Sequence, residues 1–77
     1  MLDNILKKER FSILLGQCIR EHREQKGLTQ LQLATYIDLN ESTVRNYEKG
    51  RSMPSIYTLY KISVCLDIYL SDLVSKI

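Results

Sequence analysis

The chain has few of the residues that build disulfide frameworks and metal sites. Its 77 residues include two cysteines, one histidine, one proline and no tryptophan. Cys18 and Cys65 lie far apart in sequence, and His22 has no second histidine or cysteine pair beside it. Structural metal sites need several such ligands at short spacings. We therefore expect no metal and no cofactor, and we interpret both cysteines as small core residues, with a redox switch as the alternative.

Long apolar runs are also missing. No stretch approaches the roughly 18 apolar residues of a membrane span. The first residues, MLDNILKKERF, lack the uninterrupted apolar core and the cleavage site of a secretory signal. We expect a cytoplasmic protein without a membrane partner.

The sequence contains no set of residues typical of an enzyme. It has no nucleophile–base–acid combination and no glycine-rich phosphate loop, so we expect no enzymatic activity. Apolar residues make up 44% of the chain, which is ordinary for a globular domain and too high for disorder. We interpret residues 1–10 as an N-terminal extension and residues 11–77 as one domain with a compact core.

The chain has little excess of either charge, since its net charge is only +2. This balance is weak support for nucleic-acid binding, and the local distribution matters more. Basic residues cluster near the middle of the chain and near its start, at Arg45, Lys49, Arg51, Lys7, Lys8 and Arg10. Glu41 and Glu48 reduce the positive electrostatic potential of this region. We therefore expect a modest affinity for DNA that falls as the salt concentration rises.

The apolar residues follow a helical period, and no strand alternation is present. A first helix is predicted from about Lys8 to Gln25, with Gly27 as its left-handed stop. Further helices are predicted after Thr29, after Asn40 as far as Gly50, and after Ser55, which caps a helix that carries Ile56, Leu59, Ile62 and Leu66. A short last helix holds Leu70, Leu73 and Val74. The fold class is therefore all-α.

The stretch from Gly27 to Gly50 is the most informative part of the chain. Thr29 precedes a run in which Leu31 or Leu33, then Ala34 and Ile37, face inward, and Gln32 completes a capping box. Asn40 is a favoured N-cap for the next helix. The turn between the two helices is too short for them to be collinear. Two helices joined in this way form the unit that places its second helix in the DNA major groove.

Asp38 and Asp67 occupy two predicted helix exits where glycine is the easier choice. Aspartate tolerates the left-handed backbone better than most residues, at some energetic cost. We therefore predict positive φ at both positions.

The ordered motifs resemble the Cro-and-repressor family of helix-turn-helix domains, also called the XRE-type family. The matching residues are Leu15-Gly16, Ile19-Arg20, Arg23, Gly27-Leu28-Thr29-Gln30, Leu33-Ala34, Ser42-Thr43-Val44, Tyr47-Glu48-Lys49-Gly50, Pro54-Ser55, Leu59, Ile62 and Leu70-Ser71-Asp72-Leu73. The sequence departs from the family pattern at Asp38, His22 and Tyr69 and in its longer N-terminal segment.

This resemblance implies a compact five-helix bundle, lambda-repressor-like in fold, that binds double-stranded DNA as a homodimer on a two-fold operator. It implies that Gln30 contacts a phosphate and braces the recognition helix. It also implies an internal ion pair between Arg23 and Glu48. The expected function is a sequence-specific transcriptional regulator acting as a repressor. The alternative is an antitoxin or another protein-interaction module that binds DNA secondarily.

The residues after Asn40 supply the candidate DNA contacts. Glu41, Ser42, Arg45 and Asn46 fall opposite the inward-facing Val44 and Tyr47, and we predict that they reach base edges. Asn46 can pair bidentately with adenine, and Arg45 with guanine or a phosphate. Glu41 accepts from cytosine N4 or complements the positive helix N-terminus. Predicted phosphate contacts are Gln30, Asn40, Lys49, Arg51 and Ser55.

Overall fold

The helices follow one another in a short-loop bundle. A computed structural model describes residues 7–75 and residue 77. Over this part of the chain the helices are α1 (Lys8–Gln25), α2 (Gln30–Tyr36), α3 (Glu41–Glu48), α4 (Ile56–Leu66) and α5 (Leu70–Val74). The predicted all-α, five-helix fold is confirmed. Leu2, Ile5 and Leu6, considered above as part of the N-terminal extension, lie outside the described residues.

Four helix exits use a residue with positive φ. The φ values are 76° at Gly27, 61° at Asp38, 73° at Gly50 and 57° at Asp67. At each exit two backbone N–H groups turn back to carbonyls of the last turn. After α2, for example, Leu39 N–H donates to Ala34 O at 2.9 Å and Asp38 N–H donates to Thr35 O at 3.2 Å. This pattern satisfies carbonyls that the helix itself leaves free. The prediction for both aspartates is confirmed.

The helix starts follow the capping predictions in two cases out of the three considered. Thr29 Oγ1 accepts from Gln32 N–H at 3.1 Å, and Gln32 Oε1 accepts from Thr29 N–H at 2.8 Å, which completes the capping box. Ser55 Oγ accepts from Thr58 N–H at 3.1 Å. Asn40 occupies the N-cap position of α3, but its side chain makes no capping hydrogen bond, so that part of the prediction is wrong.

The core consists of one apolar cluster shared by all the described helices and the turn after α2. Its fully buried large side chains are Ile19, Leu33, Ile37, Val44, Ile62 and Leu73. Between the two alternatives in α2, Leu33 is buried and Leu31 is exposed. Ile56 lies on the predicted fourth helix, and its side chain is exposed. Ile56 is the first residue of α4 and precedes the stripe, from Thr58 to Leu66, that faces the other helices.

Cys18 and Cys65 are not joined by a disulfide, and both pack at the core. Cys18 is buried and Cys65 is half-buried, and burial raises the pKa of the Cys65 thiol. His22 is half-buried on α1, where its Nδ1 lies 2.8 Å from Cys18 O. These positions agree with the interpretation of the cysteines as core residues. Within the described part of the chain, no helix has both the length and the apolarity needed to cross a bilayer.

Helices α1 and α3 approach each other closely at two glycines. A Cβ on Gly16 would lie 2.8 Å from Glu48 O and closer still to Tyr47 O, so only glycine fits between the two backbones. A Cβ on Gly50 would lie 2.8 Å from Ile13 Cα. Glycine inside a helix costs helix stability. Here it allows the end of α3 to rest directly on α1.

Candidate nucleic-acid interface

Helix α3 has one face in the core and one face open to solvent. Val44 is fully buried and Tyr47 nearly so, because both pack in the apolar cluster. On the opposite side Glu41 and Ser42 are exposed, and Arg45 and Asn46 are half-buried. The four residues predicted to contact bases therefore share one helix whose polar face is accessible. A helix of this width fits the major groove of B-DNA.

Two of the predicted base contacts pair with each other. Arg45 Nη2 lies 3.7 Å from Glu41 Oε1, one turn apart on α3, and both side chains are almost half exposed. A pair this open to water contributes little to stability. Little free energy is therefore needed to separate the two side chains. In the free protein the carboxylate reduces the positive charge that Arg45 presents.

The end of α3 is held to α1 by a buried ion pair. Arg23 Nε donates to Glu48 Oε2 at 2.6 Å, and Arg23 Nη2 donates to Glu48 Oε1 at 3.0 Å. Arg23 Nη1 also donates to Leu28 O at 2.7 Å. The hydrogen bond to Glu48 raises the pKa of Arg23, so the guanidinium stays charged at every physiological pH. Two parallel hydrogen bonds fix orientation as well as distance.

Gln30 extends this network from α2. Its Nε2 donates to Glu48 Oε1 at 3.0 Å, so the first residue of α2 contacts the last residue of α3. Glu48 thus accepts hydrogen bonds from two different helices. The hydrogen bond joins Gln30 to the last residue of α3, and the roles that the resemblance implies for Gln30 stay predictions.

The other predicted phosphate contacts lie at the ends of helices. Asn40, Lys49 and Arg51 are exposed at the two ends of α3. The Asn40 side chain makes no capping hydrogen bond, which leaves it available for an external partner. Ser55 is exposed at the start of α4, but its hydroxyl is already engaged. It accepts from Thr58 N–H and donates to Thr58 Oγ1 at 3.1 Å.

Sequence reasoning missed Lys61, which ties α4 to the helix-turn-helix unit. Lys61 Nζ donates to Ile37 O at 2.8 Å, at the point where α2 ends. The same ammonium lies 4.9 Å from the centroid of the Tyr57 ring. The signal available in the sequence was that Lys61 is the one charged residue in the segment from Ile56 to Leu66. A charge in an otherwise apolar helix indicates a specific partner.

The described residues do not bring together a metal site. Among them, no three side chains of histidine, cysteine, aspartate or glutamate are close enough to hold an ion. The lone His22 contacts its own helix through Cys18. What the arrangement presents is a polar helix face, held rigidly by buried hydrogen bonds.

Comparison with known proteins assigns the family. A family model described as Helix-turn-helix (HTH_3) matches residues 19–73. The chain belongs to the XRE-type helix-turn-helix family. The match begins in α1 and ends in α5, so it includes the scaffold around α3 as well as the two motif helices.

Over the matched region, curated relatives are about one-third identical to this chain. Endothelial differentiation-related factor 1 of Homo sapiens is 35% identical over 65 residues, which are 84% of this chain and 44% of that protein. Multiprotein-bridging factor 1 of Candida albicans is 29% identical over 68 residues, 88% of this chain and 45% of that protein. The helix-turn-helix chain thus spans less than half the length of these relatives.

Solved structures of two regulatory proteins have the same fold. The restriction-modification controller protein C.AhdI from Aeromonas hydrophila matches with a TM-score of 0.76 and 36% identity, over 79% of this chain and 88% of that chain. The clp gene regulator ClgR from C. glutamicum matches with a TM-score of 0.82 over 86% of this chain and 85% of that chain. At 24% sequence identity, this match shows a similarity of fold alone.

Proposed function

We propose that this chain is the DNA-binding domain of a cytoplasmic transcription regulator, acting as a repressor in the form of a homodimer on a two-fold operator. The observation that carries the proposal is the accessible polar face of α3, with Glu41, Ser42, Arg45 and Asn46 on a helix locked at its far end by Glu48. The family, and the restriction-modification controller protein among the solved structures, support a DNA-binding transcription regulator.

The mechanism divides the contacts into two kinds. Donors and acceptors on the α3 face read base edges, with Asn46 the residue best suited to adenine. Lys49, Arg51, Asn40 and Gln30 bind phosphates, which position the protein without reading the sequence. The buried network from Arg23 through Glu48 to Gln30 keeps α3 in one orientation, so little ordering is needed when the helix enters the groove.

The test begins with selection of bound duplexes from a random DNA pool. On the selected duplex, Asn46→Ala should relax the preference at one base pair, which corresponds to a loss of about 1–3 kcal/mol of discrimination. Lys49→Ala should weaken binding to every sequence alike and lower the slope of log K against log salt by about one.

The matched control is Arg20→Ala, which removes an exposed charge that pairs with Glu24 on the same helix. It should leave both sequence preference and salt slope as in the parent. Equal binding by the parent, the Asn46 variant and the Lys49 variant would overturn the proposed interface.

A second candidate function is a protein-interaction module, such as an antitoxin, that binds DNA secondarily. The relatives named multiprotein-bridging factor favour this alternative. A neighbouring toxin gene, or a protein that copurifies stoichiometrically with the chain, would distinguish it from the regulator. In that case Asn46→Ala should leave partner binding unchanged.

A further inference from the structure

We propose that Glu41 makes DNA binding by this chain selective for sequence, because it withholds Arg45 from the phosphates of duplexes with the wrong sequence. The proposal rests on the proposed function and deepens it, since it names the residue that discriminates against non-specific DNA. Glu41 is the first residue of α3, and Arg45 lies one turn later on the same polar face. Arg45 Nη2 lies 3.7 Å from Glu41 Oε1.

The cations that follow α3 are not paired in this way. Lys49 and Arg51 are exposed, and neither has an ion-pair partner among residues 7–75. Both are predicted phosphate contacts, which position a protein on DNA without reading sequence. Arg45 lies on the face predicted to meet base edges, and it is held by a carboxylate. Within this part of the chain, the carboxylate therefore restrains the cation that faces the bases and not the cations after the helix.

The position of Glu41 on the helix favours its pairing with Arg45. Glu41 lies in the first turn of α3, where a carboxylate complements the positive end of the helix dipole. A glutamate four residues before a cation is also the more favourable order. Arg20 and Glu24 pair in the reverse order on α1, with side chains 62% and 54% exposed, compared with 43% and 46% for Arg45 and Glu41. The pair on α3 is therefore less open to solvent than the pair on α1.

On a duplex of the wrong sequence, Glu41 opposes binding in two ways. Its carboxylate meets no base donor and is repelled by the phosphates. Arg45 reaches a phosphate only by leaving the carboxylate. Non-specific binding depends on how many phosphates the protein neutralises. The pair therefore removes about one phosphate contact from non-specific binding.

On the correct sequence, base edges replace the partners of both side chains. Cytosine N4 donates to a carboxylate, and guanine O6 and N7 accept from an arginine. All of these groups lie in the major groove, so G·C pairs opposite Glu41 and Arg45 satisfy both residues. The exposed ion pair needs little free energy to separate, so affinity for this sequence is retained. We therefore expect the preferred duplex to carry G·C pairs at these positions.

The experiment compares the selected duplex with a scrambled duplex of the same composition, over a series of salt concentrations. Glu41→Gln should raise the affinity of the full chain for the scrambled duplex about fivefold or more at low salt, and should steepen the slope of log K against log salt by about one. Its affinity for the selected duplex should change less. The ratio of the two affinities should therefore fall.

The matched control is Glu24→Gln, which makes the same change in net charge, from +2 to +3. Glu24 pairs with Arg20 at 3.4 Å on α1, also at a spacing of four residues. This variant should keep the affinity ratio and the salt slope of the parent. An equal effect of Glu24→Gln would show that net charge alone acts, and would overturn the proposal.

A second comparison tests whether Glu41 acts through Arg45. In an Arg45→Ala background, Glu41→Gln should lose most of its gain on the scrambled duplex. A gain as large as in the parent background would overturn the proposed coupling. Melting curves check that each variant is folded. If Glu41 only stabilises the start of α3, Glu41→Gln should lower the melting temperature and keep the affinity ratio of the parent, which would also overturn the proposal.

Failure of the proposal can be told apart from failure of the proposed function. A parent that prefers the selected duplex, with a Glu41→Gln variant that keeps this preference unchanged, would overturn the role of Glu41 and leave DNA recognition standing. A selected duplex with only A·T pairs would do the same. A parent that binds both duplexes equally, or neither of them, would overturn the proposed function and the role of Glu41 together.

Discussion

At the scale of single residues, the helix exits show how local chemistry determines where each element ends. Gly27 and Gly50 take positive φ without cost because they have no Cβ. Asp38 and Asp67 take nearly the same conformation with a side chain present. Their short polar side chains make this conformation less costly than it is for most residues. The two aspartates therefore store a small amount of local strain.

Replacing either aspartate with glycine should be neutral or stabilising. Asp38→Gly and Asp67→Gly remove the Cβ that disfavours positive φ, although the unfolded chain also gains some freedom. Thermal unfolding followed by circular dichroism measures the change. Asp38→Val is the control, and it should lower the melting temperature because a β-branched residue is a clear outlier in this region. A marked drop in the melting temperature of both glycine variants would contradict the strain at these exits.

At the scale of elements, the junction between α1 and α3 is the most specific contact of the fold. Gly16 brings the two backbones together, and the pair of Arg23 and Glu48 fixes their relative orientation. Gln30 adds α2 to the same carboxylate. A buried ion pair gives little net stability, but removing one partner leaves the other charge uncompensated. The junction therefore determines orientation more than it determines stability.

Breaking this pair on one side should be costly. Glu48→Ala should lower the free energy of unfolding by about 3–5 kcal/mol, because Arg23 stays buried without its carboxylate. Urea unfolding measures the loss, and the double variant Arg23→Met, Glu48→Met should recover much of it. The control is Glu24→Ala, which breaks the exposed pair with Arg20 and should cost about 1 kcal/mol or less. A Glu48→Ala variant as stable as that control would show that the pair is not desolvated.

At the scale of the whole molecule, the helices share one core, so a buried group reports on global unfolding. Tyr47 belongs to this core through its ring, and burial raises the pKa of its hydroxyl above the ordinary value of 10.0. In the unfolded chain the hydroxyl ionises near that ordinary value, whereas in the folded protein it stays protonated to higher pH. Between the two values the unfolded state binds fewer protons, so stability falls as pH rises.

We therefore expect the free energy of unfolding to decrease as pH rises above about 10, and Tyr47→Phe to reduce the steepness of this decrease. Urea titrations at a series of alkaline pH values measure it. The control is Tyr36→Phe, because the exposed Tyr36 side chain meets solvent in both states. The control should keep the alkaline dependence of the parent. A Tyr47→Phe variant with the same steepness as the parent would contradict the assignment to Tyr47.

Most of the fold could be predicted from local patterns. The bounds of α1, the capping box at Thr29 and the left-handed exits depend on residues within a few positions of each other. Three details could not be predicted in this way. The exposure of Ile56, the missing side-chain cap at Asn40 and the contact of Lys61 with Ile37 depend on what lies opposite each residue in space.

Some features of the candidate interface could also be predicted from local patterns, and others could not. Helical spacing was enough to place Glu41, Ser42, Arg45 and Asn46 on one side of α3, because side-chain direction repeats every 3.6 residues. The sequence by itself therefore determined the helices, their ends and the polar face. Only the tertiary structure decided that Glu48 joins three helices, that Gly16 lets α3 rest on α1, and that α4 keeps an apolar stripe in solvent. The physical reason is that burial and close approach depend on contacts between residues distant in the chain, which no local pattern encodes.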